Sequence, residues 1–253
     1  MYSTSPLSTL IHDQAKKYGE RTAMMYRDYN EDVWKNISWN EFSRRVRLAS
    51  NALLKMGVKV QENIAVFSQN MPECLVTDFG AYGIRAVTIP FYATSSEMQV
   101  KYMVSDASIR YIFVGEQYQY DTALRVQQLA PQVERLILMS KDIERDKRDQ
   151  TSITYDDFLA LGEGLPFAEE VEKRSSELQI DDLANILYTS GTTGLSKGVM
   201  LTHRMYNAAI KGHNGALNLS DADLIMNFLP FTHVFERGWT YLCIAAGATL
   251  AVN

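Results

Sequence analysis

Tyr188-Thr-Ser-Gly-Thr-Thr-Gly-Leu-Ser-Lys-Gly-Val-Met-Leu-Thr-His203 is the stretch around which the chain is organised. Five hydroxyls, three glycines and one lysine fall within the ten residues Thr189 to Gly198. A mostly apolar run, Leu183 to Tyr188, leads in, and Val199 to Leu201 leads out. The pattern predicts a polar turn between two strands. Glycines let the backbone bend and expose its N–H groups, and successive exposed N–H groups form a concave anion site. Thr189, Ser190, Thr192, Thr193 and Ser196 add hydroxyl donors, and Lys197 adds a point positive charge. Together they suit a polyphosphate. The alternative is a surface Ser/Thr/Gly loop with no ligand.

The turn is not a Walker-type P-loop, which needs Gly, four residues, then Gly-Lys-Ser/Thr. Five residues after Gly191 comes Ser196, and Lys197 is followed by Gly198. A second polar cluster, Leu229-Pro-Phe-Thr-His-Val-Phe-Glu-Arg237, follows an apolar strand-like run. His233 therefore sits just past a strand end, where ligands bind in open α/β sheets. A lone histidine also reads as structural. Glu236 and Arg237 read equally as an ion pair or helix-turn contact.

Composition bounds the class. The 253 residues are 46% hydrophobic and 22% charged, ordinary for a globular protein, with a net charge of −5. Thirty acidic against 25 basic residues leave no basic footprint for nucleic acid. Cys74 and Cys243 lie in apolar, helix-like runs and read as buried free thiols, which suits a reducing, cytoplasmic compartment. The N-terminus lacks the basic start and apolar core of a signal peptide, and no apolar run reaches the length of a membrane span. A peripheral membrane contact stays open if the substrate is a lipid. The four histidines show no metal-ligand spacing with one another or with the cysteines, and there is no Gly-x-Ser-x-Gly elbow.

Along the chain, Ser38 and Glu41 read as a capping-box pair. Trp39, Phe42, Val46, Ala49, Leu53 and Met56 follow on one helical face, and Gly57 stops the helix. Asn70 reads as the cap of a helix with Pro72 in its first turn. From Asn63 short apolar strands alternate with helices, which predicts mostly parallel sheets flanked by helices. Lys141 to Asp149 and Pro166 to Leu178 read as surface segments. A helix is expected from His203 to about Leu217. The chain ends in a strand-like run, Thr249 to Val252, without a cap or tail.

The run Tyr188–His203 closely resembles the phosphate-binding signature of the adenylate-forming superfamily: acyl-CoA synthetases, luciferases and peptide-synthetase adenylation domains. Many members have proline before the lysine; here Ser196 stands there, leaving the loop freer. Leu229–Arg237 resembles the second substrate-site motif of the long-chain fatty-acyl-CoA synthetases, with both motifs in the family's order. Ile89–Ser96 resembles an early family segment that begins a helix.

The resemblance implies ATP-dependent activation of a fatty acid to an acyl-adenylate, then to acyl-CoA, with Mg²⁺ and coenzyme A. It assigns the nucleotide to Thr189, Ser190, Gly191, Thr192, Thr193, Gly194 and Lys197. Thr189 would stand on the Mg²⁺ side, His233 against the acyl carboxylate, and Trp239 either along the acyl path or in the core. The chain is then expected to be the N-terminal portion of a large adenylation domain. Residues 1–180 would form a leading α/β region and 181–253 the loop-bearing one. The family's adenine-binding segment and mobile lid fall further along, so the chain alone is expected to be a truncated fragment that does not complete adenylation. Two rival classes are a nucleotide-binding module without turnover and an unrelated NTP-dependent α/β enzyme such as a kinase.

Overall fold

The computed structural model describes residues 5–164, 168–189, 196–213 and 216–253. In chain order the elements are α1 (Leu7–Tyr18), β1 (Thr22–Asp28), β2 (Val33–Ser38), α2 (Trp39–Lys55), β3 (Asn63–Phe67), α3 (Pro72–Gly83) and β4 (Val87–Phe91). Next come α4 (Glu97–Asp106), β5 (Tyr111–Val114), α5 (Gln117–Leu129), β6 (Arg135–Leu138), β7 (Ile153–Thr154), α6 (Tyr155–Ala160) and α7 (Ala168–Ser176). The last part holds β8 (Leu183–Thr189), β9 (Lys197–Thr202), α8 (His203–His213), β10 (Leu224–Asn227), α9 (Val234–Ala246) and β11 (Thr249–Val252).

Helix α2 forms where the apolar stripe predicts it. Trp39, Phe42, Val46, Ala49 and Leu53 are buried, and Phe42 meets Phe79 of α3 edge-on at 6.1 Å. Half of the expected capping box is made: the Ser38 hydroxyl accepts from Glu41 N at 3.1 Å. The Glu41 carboxylate does not return to the Ser38 backbone. It binds Arg44 Nε at 2.7 Å and Arg45 Nε at 2.6 Å. Two guanidiniums one helical turn away outcompete a neutral N–H for a carboxylate, and the hydrogen bond from Arg44 holds the Glu41 carboxyl down at about 2.

Two sheets result. The larger has the order β7-β6-β5-β3-β4-β8-β9, and the smaller β10-β11-β1-β2. Pairing is parallel except in the two hairpins, β1–β2 and β8–β9. Strands β3, β4 and β5 are near-continuously apolar because both sheet faces are covered: Ile64, Phe67, Val87, Ile89, Ile112 and Phe113 are all sealed. Met24 of β1 lies opposite Leu250 of β11, so strands from opposite ends of the chain share the smaller sheet. The fold class is therefore the expected mostly parallel α/β one. Helix α9 ends in the left-handed Gly247, whose φ is 82°.

Local expectations shift in three places. Asn70 makes no cap for α3: the N-cap position is Met71, with no side-chain capping bond. Asp149, expected on the surface, is buried and accepts from Tyr120 Oη at 2.8 Å, which closes the 141–149 loop onto α5. Helix α8 ends at His213, short of Leu217, and residues 214–215 lie outside the described residues. Helix α7 buries no side chain fully, as its acidic surface reading requires.

Candidate functional site

Strands β8 and β9 pair so that Thr189 faces Lys197 and Tyr188 faces Gly198. Thr189 and Lys197 therefore stand opposite each other as the last pair of the hairpin ladder before residues 190–196, and both are exposed. Ser190, Gly191, Thr192, Thr193 and Gly194, read as phosphate-binding residues, lie outside the described residues. Gly198 is required by close approach, since a Cβ there would fall 2.7 Å from Ile186 Cγ2.

Helix α4 bonds to the residues that flank positions 190–195. Tyr188 Oη donates to Asp106 Oδ2 at 2.5 Å, and Tyr102 Oη donates to the Ser196 carbonyl at 3.1 Å. The two tyrosine rings meet edge-on at 6.3 Å. Burial, then the Asp106 carboxylate, pushes the Tyr188 phenol above its ordinary value. Sequence reasoning missed Tyr102 and Asp106. Their i,i+4 spacing puts them on one helix face, but nothing local says that this face meets β8 and β9.

His233 lies at the other end of the loop-bearing region, at the N-cap of α9. Its ring is exposed, and Nδ1 accepts from Phe235 N at 3.2 Å. The neutral ring must then carry its proton on Nε2, leaving an N–H donor free to face a ligand. One residue on, Val234 and Phe235 begin an apolar groove of ≈ 440 Å³ between α8 and α9, lined also by Ala209, Trp239 and Leu242. Trp239 both lines this groove and packs against the core. No hydrogen bond or ion pair among the described residues joins His233 to Thr189 or Lys197.

The strap before His233 is held on both sides. Asn70, three residues past the end of β3, donates from Nδ2 to the Leu229 carbonyl at 2.8 Å and accepts at Oδ1 from Phe231 N at 2.9 Å. Arg237 Nε donates to the Phe231 carbonyl at 2.8 Å, and its Nη1 pairs with Asp78 and reaches Tyr241 Oη at 2.9 Å. Asp78 Oδ1 accepts from Thr88 Oγ1 at 2.6 Å, Asn185 Nδ2 donates to that hydroxyl at 2.6 Å, and Tyr82 and Tyr206 donate to Asn185 Oδ1 at 2.9 and 2.8 Å. A buried polar network thus runs from α9 through α3 and β4 to β8 and α8. Burial opposes the Arg237 charge, but the Asp78 carboxylate together with Tyr241, Tyr82 and Tyr206 raises the guanidinium pKa. Glu236 is buried as well, its carboxyl raised by burial while Asn227 Nδ2 donates to it at 2.7 Å.

His203 opens α8 as expected, but fully buried. Its ring meets Tyr82 edge-on at 5.3 Å, and neither ring nitrogen has a hydrogen-bond partner among the described residues. Burial lowers its pKa to about 4. Burial also pushes both thiols, Cys74 and Cys243, up to about 12. Among the described residues no group of three or more His, Cys, Asp or Glu side chains could hold a metal ion, and no helix is long and apolar enough to cross a membrane.

The fold is mostly parallel α/β, with the β8–β9 hairpin closed by Thr189 and Lys197 and a histidine at a later strand–helix junction. The family model for AMP-binding enzymes matches residues 11–253, and the chain belongs to that family. It is 25% identical over 229 residues to a long-chain-fatty-acid–CoA ligase of Xenopus laevis, covering 89% of this chain and 30% of that protein. It is 27% identical over 249 residues to fatty acyl-CoA synthetase B of Dictyostelium discoideum, covering 94% and 36%. The chain thus spans about a third of the length of these relatives. Among solved structures, a long-chain-fatty-acid–CoA ligase of Archaeoglobus fulgidus superposes with a TM-score of 0.81 at 20% identity, covering 100% of this chain and 47% of that one. The anthranilate CoA ligase AuaEII superposes with a TM-score of 0.83 at 18% identity, covering 100% and 45%.

Proposed function

We propose that this chain is the N-terminal portion of the large adenylation domain of a long-chain fatty-acid–CoA ligase. Residues 1–180 form its leading α/β region and 181–253 its phosphate-loop-bearing region. In the full-length ligase a fatty-acid carboxylate oxygen attacks the α-phosphorus of MgATP. The bond to pyrophosphate breaks and an acyl-adenylate forms. The sulfur of coenzyme A then attacks the acyl carbon, and AMP leaves.

The observation that carries this reading is the exposed imidazole of His233, whose Nδ1 accepts from Phe235 N, one residue before Val234 and Phe235 of the apolar groove. A hydrogen-bond donor beside an apolar channel suits an acid with a long hydrocarbon tail. The donor orients the carboxylate while the tail leaves water. At the other locus, where Thr189 and Lys197 are register partners, the Lys197 ammonium would offset the charge of the departing pyrophosphate, and the Thr189 hydroxyl would serve the Mg²⁺ of MgATP. One hydroxyl fits a metal held mainly by phosphates and water. Ser190, Gly191, Thr192, Thr193 and Gly194 are assigned the β- and γ-phosphates. The work of these groups is positioning and charge stabilisation. Free buried thiols at Cys74 and Cys243 support a cytoplasmic setting.

Acid-dependent ATP–pyrophosphate exchange tests the reading. The 253-residue chain is expected to bind MgATP weakly and to give no exchange. The full-length ligase should release AMP and pyrophosphate when a long-chain acid is supplied. Release of ADP would overturn the reading in favour of a phosphotransferase.

A further inference from the structure

The strap Leu229–His233 joins the smaller sheet to α9, and it is held by groups from the larger sheet's side. Asn70 follows β3 of that sheet and stands one residue before the N-cap of α3. Free to cap, its side chain would bond an N–H of its own helix. It spends both halves of its amide on the strap, binding Leu229 O and Phe231 N. Arg237 takes the remaining polar group of that residue, Phe231 O. The guanidinium is itself fixed by Asp78 of α3, whose second oxygen is held by Thr88 of β4. His233 N then donates to Pro230 O at 2.9 Å, closing the turn that presents the imidazole.

Three backbone groups within five residues of the strap are therefore held from outside it, immediately before the exposed histidine. A helix that needed only to pack would not require a buried arginine, because burying an ion pair contributes little to stability compared with an apolar pair of the same volume.

We infer that Asn70 and the Asp78–Arg237 pair are positioning residues for His233, clamping the Leu229–Phe231 backbone so that the imidazole keeps one orientation and one tautomer. The inference rests on the reading of His233 as a ligand-facing donor. In this reading both act through the histidine.

Long-range ¹H–¹⁵N correlation spectra of the 253-residue chain read the tautomer of each of its four imidazoles, with His233 assigned from His233→Gln. In the wild type His233 should carry its proton on Nε2. In Asn70→Ala the Nδ1–Phe235 bond should loosen, the tautomers should mix and the Phe235 amide should shift, while unfolding stays cooperative. Asn70→Asp keeps the acceptor for Phe231 N and loses the donor, so its pattern should lie between the two. It also supplies the measurement if Asn70→Ala does not fold. A fall in thermal midpoint with the His233 pattern unchanged would assign Asn70 to stability alone and overturn the inference. A second arm measures affinity for a non-hydrolysable acyl-sulfamoyl adenosine. Asn70→Ala should lose about tenfold, as should His233→Gln. If the wild type does not bind the analogue, the ligand reading of His233 fails in this chain, and the imidazole spectra decide the positioning role by themselves.

Discussion

Arg237 and Asp78 lie 159 residues apart and form an ion pair whose side chains are only 2% and 1% exposed. The pair joins the N-terminal turn of α9 to the middle of α3, and so fastens the last helix to the larger sheet. Removing one partner leaves an uncompensated buried charge. Arg237→Ala and Asp78→Ala should each destabilise by about 3–5 kcal/mol in urea unfolding. Replacing both by Met and Leu should cost much less. Equal losses in the single and double variants would show that the charges are not coupled.

Acid sensitivity should trace in part to His203. Its folded pKa of about 4 lies below the ordinary 6.5. The neutral ring is favoured in the fold, so its contribution is fully present above pH 6.5 and is lost as pH falls towards 4. The interval corresponds to about 3 kcal/mol. His203→Phe keeps a ring against Tyr82 and removes the titration. Urea midpoints at pH 7 and pH 4.5 should differ less in this variant than in the wild type.

Lys197→Ala should leave the fold intact, because the side chain is exposed. A stability change within about 0.5 kcal/mol is expected. Affinity for MgATP or pyrophosphate should fall about tenfold or more, by calorimetric titration. Undiminished affinity would remove the lysine from the phosphate site.

Gly247→Ala should destabilise at the end of α9. The backbone there has a φ of 82°, and a Cβ would sit 2.4 Å from Tyr18 Oη. The aromatic ring of α1 cannot retreat without disturbing its packing on Trp39 at 5.8 Å. A loss of roughly 1–3 kcal/mol is expected, read as a lowered thermal midpoint.

Much of this architecture was legible residue by residue. The stripe from Trp39 to Leu53 marked α2 because burial on one face imposes a helical period. The apolar runs at Ile64, Ile89 and Ile112 marked parallel strands because both sheet faces are covered. The glycine, hydroxyl and lysine content after Thr189 carried the family resemblance, and the family model matches the chain. Asn70 shows where such reading fails. An asparagine ahead of a proline-started helix looks like a cap, yet its amide serves a strap 159 to 161 residues further on. Tyr102 and Asp106 fail in the same way, as ordinary helix residues until β8 and β9 lie against them.

Local forces act over a few residues, and so the sequence by itself determined the alternation of strands and helices, the burial pattern and the residue signature that marks the family. Tertiary structure alone decided which buried groups meet: Asp78 with Arg237, Asn70 with Phe231, Tyr188 with Asp106. A buried charge or amide must find a partner once water is excluded, and which partner it finds depends on how distant segments close upon each other.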